Sequence, residues 1–258
     1  MLQTISRRDV VKGVAAGLPL AAILADPLLA RAAADSLQDV TITTDGGRKV
    51  NAALALPHHA PAPTVLLVHE WWGLNDQIKA VAAELAREGY TALAIDLYDG
   101  KVATTPDDAR AYMGGVNQDA AKDTVGSWAR WLKKSDKGTG KMATIGWCFG
   151  GGWSLMTGIV EPADGTIVYY GKVDRPAAML SRLKGPVMGH YATQDQWINK
   201  AMVGKFEAAM KEAGKAYTSH WYDAQHAFAN PTSARYDEAD AKLAWQRTLD
   251  FLYDTLRG

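Results

Sequence analysis

The chain has a single cysteine, Cys148, which lies among glycines in the segment GWCFGG at 146–151. Gly146 and Gly150 stand two residues before and after it, the spacing of a nucleophile on a strand-to-helix turn too tight for larger side chains. Peptide dipoles at the start of the following helix favour a thiolate. We therefore interpret Cys148 as a nucleophile, with the backbone N–H of Phe149 directed at a developing oxyanion. The alternative is an inert core thiol in a glycine-rich turn.

A thiol that attacks an acyl group needs a base and an acid that orients the base. His226, in YDAQHAFAN, follows the last predicted strand, and Asp195, in HYATQDQW, follows the strand before it. The chain order of Cys148, Asp195 and His226 is nucleophile, acid, histidine, the order found in α/β-hydrolases. The alternatives are an exposed loop histidine at 226 and a helix-capping aspartate at 195.

The segment HEWWG at 69–73 ends another predicted strand on the same sheet edge. It is not a zinc motif, because Gly73 stands where the second histidine of H-E-x-x-H would be. Glu70 could hold or accept the thiol proton, or it could form a salt bridge. No other histidine and carboxylate grouping has metal-ligand spacing, so the sequence predicts neither a metal nor another cofactor.

The elements that must position these residues alternate between β-rich and helical runs. A hairpin is predicted at 40–44 and 50–56. Further strands are predicted at 64–69, 91–97, 141–147, 166–171, 186–191 and 217–222. Helices are predicted at 76–88, 106–134 (as one or two), 150–160, 200–213 and 233–256.

This alternation predicts an α/β fold of the α/β-hydrolase type, with a mostly parallel central sheet and helices on both faces. Active residues in such sheets lie at the carboxyl ends of the strands. The loops of interest therefore follow residues 69, 97, 147, 191 and 222.

Composition excludes some partners. Lys+Arg and Asp+Glu number 28 each, so net charge gives no indication of a nucleic acid or an anionic membrane as a partner. The 48% apolar content is ample for one large domain. Nine tryptophans are unusually many, and they suit either core packing or a pocket with flat apolar walls.

The first 34 residues are predicted to be a leader rather than part of the fold. A twin-arginine pattern at 6–12 precedes a short apolar stretch at 13–24, and small residues follow at 30–34. This resembles a Tat export signal, which implies passage through the Tat translocon to a bacterial periplasm. The alternative is an uncleaved amphipathic segment. We expect residues 35–258 to form one domain that acts as a monomer away from the membrane.

Taken together, these motifs resemble the dienelactone hydrolase family (carboxymethylenebutenolidases) over residues 40–256. The resemblance is carried by VHEWWG, AIDLY, GWCFGG, TQDQW and QHAFAN. It implies that Glu70 contacts Cys148 in the resting state and moves when substrate binds, so that the thiolate forms with His226 and Asp195. It also implies backbone N–H groups of Phe149 and Trp71 as the oxyanion donors.

The chain departs from the family at the two arginines that grip the substrate carboxylate. Those positions hold Gly100 and Asn230, and Lys101 and Arg235 are near them in sequence. Without a bidentate guanidinium, recognition of a carboxylate should weaken severely. We therefore expect an ester or lactone substrate other than dienelactone, in a pocket walled by Trp71, Trp72, Tyr98 and Trp197.

Two other classes of function stay open at this point. The same cleft could bind an apolar small molecule in the periplasm without catalysis. The thiol of Cys148 could instead be a redox sensor oxidised to sulfenic acid, although the chain has no second cysteine to resolve it.

Overall fold

The computed structural model describes residues 18–258, so the twin-arginine pattern at 6–12 lies outside the described residues. The strands are β1 (Gln38–Thr43), β2 (Lys49–Ala55), β3 (Ala62–Val68), β4 (Thr91–Ile95), β5 (Gly138–Trp147), β6 (Gly165–Tyr169), β7 (Val187–Ala192) and β8 (Tyr217–Tyr222). The helices are α1 (Leu20–Ala25), α2 (Pro27–Ala34), α3 (Asp76–Arg87), α4 (Pro106–Gly114), α5 (Gln118–Lys134), α6 (Phe149–Val160), α7 (Ala177–Leu180), α8 (Lys200–Glu212) and α9 (Glu238–Leu256).

The strands form one eight-stranded sheet in the order β1-β2-β4-β3-β5-β6-β7-β8. The β1–β2 and β2–β4 pairs are antiparallel, and every pair from β4–β3 onward is parallel. The predicted α/β-hydrolase fold is confirmed. Because β3 to β8 run in one direction, their carboxyl ends share one edge, where the loops of interest meet.

Helices cover both faces of the sheet, and β3 shows how one strand serves two cores. Val65 and Leu67 pack in a cluster with residues of α3 and α9, whereas Leu66 and Val68 pack in a second cluster with Trp128 of α5. These four side chains of β3, at 65–68, are fully buried. This two-sided burial explains the continuous apolar run that predicts the strand.

The helices differ from the sequence predictions at a few points. The run at 106–134, predicted as one or two helices, is two, because Asn117 caps the second one by accepting hydrogen bonds from the amides of residues 119 and 120. The closing helix begins at Glu238 rather than at residue 233, since Asp237 is its cap and residues 233–236 form a turn. The short helix α7 is not predicted by the sequence.

Residues 18–34, which the sequence assigns to a leader, form α1 and α2 in the structure. Ile23 and Leu24 are buried in the cluster that contains α3 residues, and Asp26 caps α2. The apolar side chains that resemble part of an export signal are thus also buried against helix α3. None of the helices formed by residues 18–258 is both long and apolar enough to span a bilayer.

Candidate active site

Cys148 lies at the junction of β5 and α6, on the sharp turn that the sequence predicts. Its backbone has a φ of 53°, in the left-handed region that is unfavourable for a residue other than glycine. A Cβ atom on Gly146 would overlap the carbonyl oxygen of Gly150, and one on Gly150 would overlap that of Val68. The turn therefore presents a partly exposed thiol at the carboxyl edge and leaves room only for glycine on either side.

Asp195 and His226 come together from the loops after β7 and β8. Nδ1 of His226 lies 2.6 Å from Oδ2 of Asp195. The other carboxylate oxygen of Asp195 accepts hydrogen bonds from the backbone amides of Trp197 and Ile198, at 2.8 and 3.0 Å. Burial acts to raise the pKa of Asp195, but these hydrogen bonds, the one with His226 foremost, outweigh it and lower the pKa.

His226 also contacts Cys148, so the imidazole lies between the thiol and the carboxylate. Burial alone would lower the pKa of His226, but hydrogen bonds with Asp195 and Cys148 prevail and raise it to about 10. At neutral pH the imidazole is therefore protonated, with a hydrogen-bond partner on each side. The three residues predicted to act together are thus adjacent in the fold.

His69 fixes the loop that carries Glu70. It is fully buried, its Nδ1 lies 2.6 Å from the carbonyl oxygen of Glu70, and its Nε2 accepts the amide of Leu97 at 3.1 Å. These partners require a neutral imidazole that donates from Nδ1, and burial correspondingly lowers the pKa of His69. His69 therefore joins the loop after β3 to the loop after β4 and serves as a structural residue.

Glu70 is buried, and its Oε2 accepts a hydrogen bond of 2.7 Å from Nδ2 of Asn230. Burial raises the pKa of Glu70, and Asn230, His226 and Tyr170 each offset part of the rise. The resting contact of Glu70 with Cys148 that the resemblance implies stays a prediction. The amide of Asn230 offers the carboxylate a good donor, while the thiol is engaged with His226.

Tyr170 is the residue at this site that the sequence analysis missed. It follows β6, a loop not considered, and its backbone has a φ of 36°. Its ring centre lies 5.1 Å from that of His226, and its buried hydroxyl has no hydrogen bond of regular geometry among the described residues. The hydroxyl still lies close enough to Glu70 and Cys148 to interact with both. Burial first, and then these two charges, raise the pKa of Tyr170 well above its ordinary value.

Two predicted pocket residues, Trp197 and Tyr98, lie at the site. The exposed ring of Trp197 packs edge-on against His226, with centroids 5.3 Å apart. Tyr98 is buried beside Phe149 at 5.5 Å, its hydroxyl is unpartnered, and Cys148 contributes to a raised pKa after the larger effect of burial. Both aromatic rings therefore adjoin the proposed nucleophile and base.

The other two predicted wall residues lie on the loop after β3. Trp71 and Trp72 pack edge-on against each other at 5.0 Å. The carbonyl of Trp72 accepts the amide of Ala103, which ties this loop to the one after β4. No ring contact found among residues 18–258 joins either indole to Cys148 or His226. Phe149 and Trp71 carry the backbone amides that are predicted to bind the oxyanion. Phe149 directly follows Cys148, and Trp71 directly follows Glu70.

A cleft of about 400 Å³ opens beside the loop after β4. Its lining includes Tyr98, Arg48 and Lys101, but not Cys148, His226 or Asp195. Cys148, His226 and Asp195 therefore lie outside this cleft. Tyr98 both lines the cleft and interacts with Cys148. No group of three His, Cys, Asp or Glu side chains in the described part of the chain could hold a metal ion.

The site can be compared with known proteins. Residues 50–256 match the model described as the dienelactone hydrolase family. The chain is 30% identical over 225 residues to a carboxymethylenebutenolidase of Pseudomonas sp. strain P51, with 83% of this chain and 94% of the relative covered. It is 26% identical over 226 residues to a carboxymethylenebutenolidase of Pseudomonas putida, with 83% and 95% covered.

The fold also resembles that of solved structures. The crystal structure of a dienelactone hydrolase-like promiscuous phosphotriesterase from metagenomic libraries superposes with a TM-score of 0.78 at 19% identity, covering 85% of this chain and 99% of that one. At this identity the likeness concerns the fold alone. From the family match, the relatives and the fold, the chain belongs to the dienelactone hydrolase family of α/β-fold hydrolases.

Proposed function

We propose that this protein hydrolyses a carboxylic ester or lactone through a covalent intermediate on Cys148. The observation that supports this most directly is the imidazole of His226, which has Cys148 on one side and Asp195 at 2.6 Å on the other. Acyl transfer requires a nucleophile, a base and an orienting carboxylate arranged in this spatial order.

In the first half-reaction, the sulfur of Cys148 attacks the carbonyl carbon as a thiolate, whose proton His226 holds, and a C–S bond forms. The carbonyl oxygen takes the negative charge and accepts hydrogen bonds from the backbone N–H groups of Phe149 and Trp71. When the tetrahedral intermediate collapses, the C–O bond to the alcohol breaks. His226 gives its proton to the departing oxygen, and a thioester is left on the enzyme.

In the second half-reaction, the now neutral His226 takes a proton from water as the water oxygen attacks the thioester carbon. The C–S bond breaks, the carboxylic acid leaves, and the proton on His226 again faces the sulfur of Cys148. Asp195 holds the imidazole in the required orientation through both steps and stabilises its positive charge. Glu70, buried beside His226, adds a second carboxylate to that stabilisation.

The substrate that we propose is not dienelactone itself. One of the two expected arginine positions is Gly100, whose φ of 84° and hydrogen bond to Asp96 favour glycine. The other is Asn230, which donates to Glu70. Neither position offers a guanidinium for a substrate carboxylate.

Hydrolysis of a panel of p-nitrophenyl esters by the wild type, Cys148→Ser and Cys148→Ala tests the proposal. We expect both variants to lose at least about 100-fold in kcat/KM while keeping the circular dichroism spectrum of the wild type. The wild type should also show a burst of p-nitrophenol equal to the enzyme concentration whenever deacylation is slower than acylation. Wild-type rates in both variants would refute the cysteine mechanism.

We further propose export through the Tat translocon and action in the periplasm as a monomer. The support is the twin-arginine pattern at 6–12 and the small residues at 30–34. Expression in a bacterium with and without a functional Tat system, followed by fractionation and N-terminal sequencing, tests this. A periplasmic protein that begins near residue 33 supports it. A protein that stays in the cytoplasm with residues 18–34 attached would overturn it and would suit their packing against α3.

A further inference from the structure

We infer that Asn230 makes this a hydrolase for uncharged acyl groups, because it holds the Glu70 carboxylate beside the nucleophile with a neutral donor. This inference rests on the proposed function of Cys148 and adds a class of substrate: esters or lactones whose acyl part carries no carboxylate. It also assigns Asn230 as the residue that determines this specificity.

The orientation of the Asn230 amide is fixed by its neighbours. Its Oδ1 accepts hydrogen bonds from the backbone N–H and the hydroxyl of Thr232, at 3.0 and 2.9 Å. That hydroxyl in turn contacts the side-chain amide of Gln77. With Oδ1 used in this way, Nδ2 must be the atom that faces Glu70, and it donates to Oε2 at 2.7 Å.

The charges around the nucleophile favour a neutral acyl group. Asp195 and Glu70 contribute two buried carboxylates, and His226 is the cation that interacts with both. The other groups that contact these carboxylates in residues 18–258 are neutral: the amide of Asn230, the hydroxyl of Tyr170 and backbone N–H groups. A substrate carboxylate bound here would be a further buried acidic group with no cation of its own, which is costly away from bulk water.

The nearby cations are engaged elsewhere. Lys101 lies over the ring of Tyr112 at 5.5 Å, on the side of the cleft. Arg235 lies over the ring of Trp197 at 5.6 Å, and Trp197 in turn packs against His226. Arg48, which lines the cleft with Lys101, pairs with Asp99 at 3.1 Å. Each of these three cations could rival the inference by swinging towards a substrate carboxylate, and the experiment must include them.

The test compares two esters with the same leaving group and the same acyl length, p-nitrophenyl pentanoate and mono-p-nitrophenyl glutarate. They differ in one terminal carboxylate. For the wild type we expect kcat/KM to be about 10- to 100-fold higher for the pentanoate, the effect of one uncompensated charge roughly 6 to 12 Å away at an effective dielectric constant near 20.

Asn230→Arg should shift the ratio at least about tenfold towards the glutarate ester, because it supplies a guanidinium at the same place. Asn230→Gln is the matched control, since it keeps a neutral amide and should keep the wild-type preference. Glu70→Gln should also reduce the preference, by removing the buried carboxyl group. The ratio of the two rates in the wild type needs no variant and decides the matter even if Asn230→Arg does not fold.

The outcomes separate this inference from the proposed function. If Cys148→Ala keeps activity on both esters, the proposed function fails. If Cys148→Ala is inactive on both and the wild type hydrolyses them equally or prefers the glutarate, the inference alone fails. A glutarate preference that Arg235→Gln, Lys101→Gln or Arg48→Gln abolishes would assign carboxylate recognition to that cation and overturn the role given to Asn230.

Discussion

Asp195 and His226 are joined by a hydrogen bond of 2.6 Å that uses only one oxygen of the carboxylate. The other oxygen closes a turn by accepting the amides of Trp197 and Ile198. Asp195 therefore faces the imidazole of His226 with one oxygen and closes a local turn with the other. The following helix, α8, is capped by Asn199 instead.

This division predicts the behaviour of Asp195→Asn. The variant keeps an oxygen that can close the turn, so the fold should persist, but it replaces the anion that faces Nδ1 of His226. We expect kcat/KM to fall by about 10²- to 10⁴-fold, since the imidazole loses both its orientation and the stabilisation of its charge. Steady-state kinetics on a p-nitrophenyl ester, with circular dichroism as a check on folding, measure this.

Asn199→Ala is the matched control for Asp195→Asn. Asn199 lies four residues further on and caps α8 by accepting the amide of Met202. Its loss should cost about 1 kcal/mol of unfolding free energy with little change in kcat/KM. Equal losses of activity in the two variants would mean that the loop, rather than the carboxylate charge, is what matters.

The raised pKa of His226 predicts how stability depends on pH. The pKa goes from its ordinary 6.5 to about 10 in the folded chain, so between these values the folded state binds more protons than the unfolded state. The resulting stabilisation is fully present below pH 6.5 and is lost as the pH rises through 10. It should decline by up to about 1.4 kcal/mol per pH unit across this window.

Urea unfolding of the wild type and of His226→Gln at several pH values from 6 to 10.5 measures this effect. The difference in unfolding free energy between the two proteins isolates His226 from the lysines and tyrosines that titrate in the same window. We expect the difference to shrink steadily with rising pH. A difference that is constant over the whole range would contradict the raised pKa.

Tyr170 and Tyr169 are adjacent in sequence and form a matched pair for testing a free hydroxyl. The Tyr170 hydroxyl is buried near Cys148 without a regular hydrogen bond, whereas the Tyr169 hydroxyl lies 2.7 Å from that of Thr248 in the core. Tyr170→Phe should leave stability unchanged or raise it by up to about 1 kcal/mol. It should lower kcat/KM about tenfold, because the hydroxyl interacts with Glu70 and with the proposed nucleophile Cys148.

Tyr169→Phe should show the reverse pattern. It removes a satisfied hydrogen bond and should cost about 1 kcal/mol of unfolding free energy while kcat/KM stays within about twofold of the wild type. Thermal unfolding and ester kinetics on the two variants supply both readouts. Loss of stability without loss of activity in Tyr170→Phe would assign that tyrosine to packing alone.

The glycines offer a prediction about the nucleophile turn. Gly150→Ala should destabilise the protein by about 2 kcal/mol or more and displace Cys148, because the new methyl group would overlap the carbonyl oxygen of Val68. Gly204→Ala, inside α8 with open space around it, should instead stabilise by about 0.5–1 kcal/mol. Chemical denaturation of both variants compares them, and similar effects at the two positions would argue against backbone crowding at the turn.

The sequence by itself determined the order and kind of most elements. Buried strands such as β3 are visible because a strand covered on both faces must be apolar throughout, and glycines at 146 and 150 mark the turn because no other residue fits. Helix boundaries depend on capping residues that the helical periodicity does not reveal. Asn117 divides the run at 106–134, which was predicted as one or two helices. Asp237 caps the closing helix, which begins five residues later than predicted.

Only the tertiary structure decided what surrounds the proposed nucleophile. Tyr170 reaches the site because β6 lies next to β5 in the sheet, a neighbour relationship that no local pattern encodes. Asn230 and Glu70 are 160 residues apart, and their hydrogen bond exists because two loops meet at one edge of the sheet. Local patterns fix what a segment can form, whereas the partners of a buried charge depend on which distant segments the folded chain brings within a few ångströms.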